Sequence, residues 1–210
     1  MPGSYQHIVF DFDGTIANTM ATVIDIYNEY APQYNIKPMT QEMVLSLSDL
    51  KARQVMKTLN ISFYQLPVLY LKIKNQFNKR IQEVTIKEGM REIIKKLYKN
   101  QKKLYIVSSN SRENIESFLL NRDLNYFSDI YASSSLFTKS KFIKRLLKSS
   151  QISHNDTIYI GDEVRDIIAS HKVGIPVMAV TWGLNNKNTL LRYQPDYIVD
   201  TPVDIMQFLK

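Results

Sequence analysis

Cysteine is absent from this sequence of 210 residues. Its absence excludes disulfide bonds, metal sites built on thiolates and a cysteine nucleophile. No stretch of 18 consecutive apolar residues occurs either, which argues against a membrane-spanning helix. The residues from Met1 to His7 lack a basic segment followed by an apolar run, so we expect no signal peptide. Together these absences predict a cytoplasmic protein with no membrane partner.

The charge of the chain is unbalanced towards the basic side. Lysine and arginine number 27 against 20 acidic residues, which gives a net charge of +7. Such a balance suits a nucleic-acid surface, an anionic small substrate or a solvated, lysine-rich exterior. The lysines are scattered along amphipathic stretches, and no nucleic-acid-binding module is evident. We therefore expect solvated helix faces and no nucleic-acid partner.

Short apolar runs alternate with helical patterns from about Glu88 onward. The runs are rich in β-branched residues and predict strands at Leu104–Val107, Thr157–Ile160, Val177–Val180 and Tyr197–Val199. Between them, apolar residues recur three and four positions apart, as helices require. One further strand, Ile8–Phe10, is predicted near the start. This alternation predicts an α/β fold whose parallel sheet is covered by helices on both faces.

The segment 16–86 differs from the rest of the chain. Its apolar residues follow helical spacing, and it contains few strand candidates. Pro32, Pro38 and Pro67 are expected to mark boundaries between short helices. The sequence therefore predicts a helical cap domain at 16–86, inserted into an α/β core domain formed by 1–15 and 87–210.

The sequence Asp11-Phe-Asp13-Gly-Thr15 follows the first predicted strand directly. Ligands of open α/β sheets bind at the carboxyl ends of strands, so both carboxylates would emerge into the ligand crevice. Of two acids at this position, one can act as a nucleophile and the other can donate and accept a proton. A turn of the Asx type, where Asp and Gly are also common, is the structural alternative.

A second acid pair lies in the sequence Gly161-Asp-Glu-Val-Arg-Asp166, after the strand predicted at 157–160. Asp162 would stand at the strand end, and Asp166 one helical turn further on the same side. Hard oxygen ligands around a crevice suit Mg²⁺. Helix capping by Asp162 is the alternative, but it accounts for only one of the two aspartates.

Hydroxyl groups and a lysine lie between the two acid pairs. Ser108 and Ser109 follow a predicted strand, and hydroxyl and backbone N–H donors at a helix start can bind phosphoryl oxygens. The amide group of Asn110 is expected at the same edge, and the run Ser108-Ser-Asn-Ser111 as a whole also suits the N-cap of a helix at Arg112–Leu120. Lys139 precedes a helical pattern and can supply a positive charge to a phosphate, with Lys141 as the alternative.

In this order, the motifs resemble the signature of the haloacid dehalogenase superfamily: DxDGT, then Ser or Thr, then Lys, then GDxxxD. The resemblance spans about residues 7 to 183. The stretches Ile160–Ile167 and Ala179–Gly183 are similar to the phosphoglycolate-phosphatase-like branch, which uses a helical insertion after the first motif as a mobile cap. The resemblance implies a Rossmann-like, doubly wound parallel sheet with an inserted α-helical cap.

The resemblance also implies catalytic roles for the first acid pair. Asp11 would attack phosphorus and form an aspartyl-phosphate, and Asp13 would protonate the leaving alcohol and then activate water. Dehalogenases of this superfamily lack the second aspartate, because a halide needs no proton on leaving. The resemblance therefore implies a phosphoric monoester hydrolase, or a mutase that transfers the phosphoryl group between hydroxyls.

Phosphate and metal binding follow from the same resemblance. Ser108 or Ser109 and Lys139 would hold the phosphoryl oxygens. The Mg²⁺ site would be formed by Asp11, the backbone carbonyl of Asp13, Asp162 and, in support, Asp166.

The substrate and the assembly state are less defined by the sequence. We expect a small phosphorylated metabolite as partner and a monomeric protein. Arg53 or Lys51, close to the sequence Leu47-Ser-Asp-Leu50, is a candidate contact for an anionic substrate. A sugar-phosphate mutase and a catalytically silent binding or regulatory module remain alternatives to the phosphatase.

Overall fold

The structure is a computed structural model that describes residues 5–48, 50–132 and 139–209. Its strands are β1 (His7–Phe10), β2 (Ala17–Asn18), β3 (Thr85–Ile86), β4 (Lys103–Ser108), β5 (Phe127–Ala132), β6 (Thr157–Gly161), β7 (Val177–Val180) and β8 (Tyr197–Val199). Its helices are α1 (Thr19–Tyr34), α2 (Gln41–Leu47), α3 (Ala52–Leu59), α4 (Gln65–Lys79), α5 (Met90–Lys99), α6 (Arg112–Leu120), α7 (Lys139–Ser149), α8 (Val164–Val173), α9 (Lys187–Arg192) and α10 (Ile205–Phe208). None of these described helices is long and apolar enough to cross a bilayer.

Six parallel strands form the central sheet, in the order β5-β4-β1-β6-β7-β8. The first strand lies in the middle, and Phe10 is in register with Ile106 of β4 and with Ile160 of β6. The chain order reverses direction around β1, which is where open α/β sheets bind ligands. This register brings the residues that follow β1, β4 and β6 to one edge of the sheet.

Helices cover both faces of the sheet because its central strands are apolar on both sides. Ile8 and Phe10 of β1 pack into a cluster with residues of α5, α6 and α10. Val9 points to the opposite face and packs with residues of α7, α8 and α9. The predicted doubly wound α/β fold is therefore confirmed, and so are the five strands expected from apolar runs.

The edge strand β5 (Phe127–Ala132) was not predicted. It pairs with β4 on one side only, and its centre carries the polar residue Asp129, which accepts a hydrogen bond from Arg112. A strand with one solvated edge does not need the continuous apolar pattern of a central strand. The apolar pattern of this segment is therefore too weak to predict a strand from the sequence.

Four helices, α1 to α4, lie between the paired strands β2 and β3. They share a small cluster of buried residues: Tyr27, Ala31, Ile36, Leu47, Leu59 and Leu69. Pro38 lies between two helices, as expected, but Pro32 lies inside α1 and Pro67 inside α4. The prediction of helix boundaries at these two prolines is wrong. Pro67 falls in the first turn of its helix, where no N–H partner is needed, and α1 ends at Tyr34, two residues after Pro32.

The aromatic pair under the first acid motif generates a stability prediction. Phe118 is fully buried, and its ring meets that of Phe12 edge to face at a centroid distance of 5.0 Å. Phe118→Ala leaves a cavity in this core and should lower the free energy of unfolding by about 3–5 kcal/mol. Leu120→Ala, at a 67% exposed position of the same helix, should change it by less than about 0.5 kcal/mol. Urea denaturation of both variants measures the difference, and equal losses would contradict this packing.

Candidate active site

Three buried carboxylates meet at the carboxyl edge of the sheet. Asp11 follows β1, Asp162 follows β6, and Asp166 lies in the first turn of α8. Their relative exposures are 2%, 1% and 0%, and one oxygen from each lies within 4.8 Å of the others. Since burial of three unpaired carboxylates is strongly unfavourable, other groups must compensate their charge.

The ammonium group of Lys139 is shared between two of these acids. This residue belongs to α7, so the expectation that it precedes the helix is wrong. Its Nζ donates to Asp11 Oδ2 at 2.5 Å and also contacts Asp166 Oδ1. Lys139 is 4% exposed, whereas Lys141 points to solvent. The structure thus brings Lys139, and not Lys141, into the acid cluster.

One ammonium does not balance the charge of the cluster. Burial raises the pKa of Asp11 and of Asp166 above its ordinary value, although Lys139 opposes this in both cases. Burial, together with Glu163 and Asp166, raises the pKa of Asp162 from 3.8 to about 7. Burial by itself would lower the pKa of Lys139, but Asp11 and Asp166 outweigh it and raise that pKa above the ordinary lysine value. The protein alone therefore retains protons in this cluster near neutral pH.

Asp162 is held by two donors from distant parts of the chain. Its Oδ1 accepts a hydrogen bond from Thr15 Oγ1 at 2.7 Å, and its Oδ2 accepts one from the backbone N–H of Leu184 at 2.8 Å. A Cβ atom at Gly14 or at Gly183 would collide with the Asp162 carboxyl group. Gly14 also has a φ of 74°, which disfavours other residues there. Both glycines therefore permit the close approach that fixes this carboxylate.

Asp166 also forms part of the start of α8. Its Oδ2 accepts a hydrogen bond from the backbone N–H of Glu163 at 3.0 Å, so the side chain caps the helix while its other oxygen meets Lys139. The alternative reading, with Asp162 as the cap and Asp166 on the surface, is not what the structure shows. Both aspartates point into the buried cluster.

A neighbouring ion pair was missed by the sequence reasoning. Arg165 donates two hydrogen bonds of 2.6 Å to the two carboxylate oxygens of Glu163. Burial by itself would raise the pKa of Glu163, but Arg165 outweighs it and holds that pKa below the ordinary value. The two residues lie within the Gly161–Asp166 motif. Their spacing in the sequence does not indicate that Arg165 forms a bidentate ion pair with Glu163. Glu163 thus stays ionised beside Asp162.

Asp13 lies on the wall of the crevice rather than in the buried cluster. It is half-buried, and its Oδ1 accepts a hydrogen bond from Asn110 Nδ2 at 3.0 Å. Burial raises its pKa above the ordinary value, against the opposing effect of the Asn110 hydrogen bond. Asp13 therefore holds a proton more readily than a solvated aspartate does.

The loop after β4 contributes the hydroxyl groups. Ser108 is buried, and its Oγ accepts a hydrogen bond from the backbone N–H of Asn110 at 3.0 Å; Ser109 is half-buried. The N-cap of α6 is Ser111, whose hydroxyl accepts from the backbone N–H of Asn114 at 3.3 Å. Within the run 108–111 considered for helix capping, the N-cap is therefore Ser111. The amide group of Asn110 lies at the carboxyl edge, as expected, and links this loop to Asp13.

The cap residues considered for substrate contact are not part of this cluster. Lys51 and Arg53 are both exposed, at the start of α3. Asp49, in the same loop, lies outside the described residues.

The donor set of the acid cluster suits a hard divalent cation. The three carboxylates supply only oxygen atoms, which is the chemistry that Mg²⁺ prefers. A cation held between them would stabilise the ionised carboxylates, which burial disfavours, and so lower their pKa values. The residues present therefore fit a Mg²⁺ ion.

Comparisons with known proteins agree with this architecture. The family model for haloacid dehalogenase-like hydrolases matches residues 8–180. A phosphoglycolate phosphatase of Synechococcus elongatus is 31% identical over 203 residues, which is 96% of each chain. The pyrophosphatase PpaX of Bacillus mycoides is 23% identical and covers 96% of this chain and 95% of its own. The crystal structure of a phosphatase of Clostridium difficile superposes with a TM-score of 0.85 at 25% identity, covering 99% of both chains.

The raised pKa of Asp162 leads to a pH-dependent effect of Mg²⁺. Without metal, the folded protein keeps a proton on Asp162 up to about pH 7, whereas the unfolded chain releases it near 3.8. The free energy of unfolding should therefore fall as the pH rises through this window, and Mg²⁺ should replace the proton. We expect the rise in Tm on adding Mg²⁺ to be small at about pH 5 and larger at about pH 8.

Two variants control this experiment. Asp162→Asn should flatten the pH dependence and abolish the effect of Mg²⁺ on Tm. Asp123→Asn changes an exposed aspartate and should leave both unchanged. An equal rise in Tm at both pH values for the unmodified protein would contradict proton displacement at this site.

Proposed function

This chain belongs to the haloacid dehalogenase-like hydrolase family, and on that premise we propose that it is a Mg²⁺-dependent phosphatase. Its substrate would be a small phosphorylated metabolite, hydrolysed through an aspartyl-phosphate on Asp11. The observation that carries the proposal is the buried carboxyl group of Asp11, held by Lys139 at 2.5 Å, with Asp13, held by Asn110, two residues away on the crevice wall. Full-length relatives named phosphoglycolate phosphatase and pyrophosphatase support phosphoryl transfer to water as the reaction.

Asp11 is oriented for attack before the substrate arrives. Its Oδ1 accepts the backbone N–H of Phe12 at 2.8 Å, and its Oδ2 accepts the ammonium of Lys139. In the proposed reaction, one oxygen of Asp11 bonds to phosphorus while the ester P–O bond breaks. Lys139 and the hydroxyl of Ser108 or Ser109 would bind the phosphoryl oxygens and offset their repulsion from the attacking carboxylate.

Asp13 would act as the general acid in the first half-reaction and as the general base in the second. Its raised pKa favours a protonated carboxyl in the resting enzyme, which can protonate the departing alkoxide. The resulting carboxylate would then remove a proton from the water that attacks the aspartyl-phosphate. Asn110, which donates to Asp13 Oδ1, would keep the carboxyl group facing the crevice in both states.

Asp11, Asp162 and the backbone carbonyl of Asp13 would hold Mg²⁺, with Asp166 in support. When bound, Mg²⁺ supplies positive charge that lowers the repulsion between the carboxylate of Asp11 and the phosphoryl oxygens. The hydrogen bonds from Thr15 and Leu184 would keep Asp162 in position for this role.

The helices between β2 and β3 would act as a cap over the site. We propose the division into an α/β core of 1–15 and 87–210 and a helical cap of 16–86, since α1 to α4 have a hydrophobic cluster of their own. We further propose a monomer that acts in the cytoplasm. A mutase would differ by moving the phosphoryl group between substrate hydroxyls with little net release of phosphate.

Replacing Asp13 should separate the two half-reactions. With p-nitrophenyl phosphate, the leaving group needs no proton, so Asp13→Asn should still transfer the phosphoryl group to Asp11. Hydrolysis of the aspartyl-phosphate lacks its base and should slow by about 10²–10⁴-fold. We expect a burst of about one p-nitrophenolate per active site, followed by slow turnover, in stopped-flow absorbance with Mg²⁺ present.

Asp11→Asn is the matched control, because it keeps the shape of the side chain but removes the nucleophile. It should show neither burst nor turnover, with a circular dichroism spectrum like that of the unmodified protein. Rapid turnover by pure Asp11→Asn protein, or turnover of the unmodified protein that persists with a chelator, would contradict the proposed function.

A further inference from the structure

A cavity of about 230 Å³ lies beside the catalytic acids, between the cap helices and the carboxyl edge of the sheet. Asp13, Asp162 and Glu163 line its floor. Its remaining wall is mostly apolar and is formed by Met20, Val23, Ile24, Met39, Val44 and Leu184. We call this cavity the leaving-group chamber, because Asp13, the proposed proton donor to the departing alcohol, lies in its floor.

Among the described residues, no lysine or arginine lines the leaving-group chamber. Lys51 and Arg53 are exposed elsewhere on the cap, and Arg165 does not line the chamber. Two of its guanidinium nitrogens donate to Glu163, and the third, Nη1, is buried without a hydrogen-bond partner among the described residues. A carboxylate or second phosphate of a substrate would therefore lie beside the carboxyl groups of Asp13, Asp162 and Glu163, in a chamber whose lining has no lysine or arginine to pair with it. Such a burial is unfavourable both from desolvation and from repulsion between like charges.

We propose that the physiological substrate is a phosphate monoester of a small, uncharged and largely apolar alcohol. This inference rests on the proposed phosphatase function and specifies its substrate class. The ester P–O bond breaks, Asp13 gives its proton to the departing alcohol, and water later releases phosphate from Asp11. The apolar wall favours the alcohol part by burying it, and each methylene buried there should raise kcat/KM by about fourfold.

The size of the chamber sets a limit on the alcohol. A volume of about 230 Å³ is smaller than the pockets that hold drug-sized ligands, which measure about 300–1,000 Å³. A short aliphatic chain or a single aromatic ring fits that limit better than a nucleoside. The same wall disfavours phosphoglycolate and pyrophosphate, since both carry a second negative charge on the leaving group.

A substrate series tests the proposal on the intact enzyme with Mg²⁺. We expect kcat/KM to rise from ethyl to propyl to butyl phosphate, and phosphoglycolate to fall below propyl phosphate by about tenfold or more. A preference for phosphoglycolate over propyl and butyl phosphate would overturn the proposal while leaving the phosphatase function standing. Turnover of p-nitrophenyl phosphate with no turnover of any of these compounds would overturn the substrate class alone. A folded protein that hydrolyses neither p-nitrophenyl phosphate nor any of these compounds would overturn the proposed function, and this inference with it.

A positive charge introduced into the apolar wall of the leaving-group chamber provides a second test of the proposed substrate class. Val23 lies on α1, lines the chamber and is 38% exposed, so Val23→Lys should fold and add a cation there. We expect it to raise the ratio of kcat/KM for phosphoglycolate to that for butyl phosphate by about tenfold. Val68→Lys, on α4 at a 47% exposed position that does not line the chamber, should leave this ratio unchanged.

Comparison of the two variants shows whether a change in the substrate ratio comes from the leaving-group chamber. An unchanged ratio in a Val23→Lys protein with an unaltered circular dichroism spectrum would overturn the role of the apolar wall. An equal rise in both variants would also overturn it, because the effect would then come from the net charge of the cap and not from the leaving-group chamber.

Discussion

The ammonium of Lys139, shared between Asp11 and Asp166, is the interaction on which the candidate site depends. It is buried with both carboxylates and is the lysine that compensates them within the described cluster. Removal of one partner from such a buried pair typically costs about 3–5 kcal/mol, because the other charge is left unpaired. The same bond holds Asp11, the proposed nucleophile, in place and leaves an excess of negative charge nearby. Burial, with a smaller contribution from neighbouring carboxylates, raises the pKa values of the acids, and the excess charge suits a divalent cation.

The sheet makes this interaction possible through its register. Because β1 lies between β4 and β6, Asp11, Ser108 and Asp162 reach the same edge although they are far apart in sequence. The helical insertion follows β1 directly and supplies the apolar wall of the leaving-group chamber, including Val23 and Val44. In the proposed reaction, the core would provide the charges that act on the phosphoryl group, and the insertion would provide the surface that meets the rest of the substrate. The proposal thus assigns chemistry and specificity to different parts of the chain.

Much of the fold could be predicted from the sequence, because central strands buried on both faces require continuous apolar runs such as Val177–Val180. The acids could be located because they follow such strands directly. The edge strand β5 and the proline positions within α1 and α4 could not be predicted. A solvated edge tolerates polar residues, the first turn of α4 tolerates Pro67, and Pro32 lies two residues before the end of α1. The bond from Thr15 to Asp162 joins residues 147 positions apart, so no local pattern indicates it. The pairing of Glu163 with Arg165 likewise depends on the burial of the site.

The most direct test of this account is to find the phosphoryl group on the enzyme. The unmodified protein, mixed with p-nitrophenyl phosphate and Mg²⁺ and quenched in acid during turnover, is digested and mapped by tandem mass spectrometry. The account predicts a phosphoryl group on the peptide that contains β1, with fragment ions that place it on Asp11 and not on Asp13. Steady turnover with no phosphorylated peptide at any quench time, together with a phosphoryl-free Asp11, would contradict the proposed covalent route.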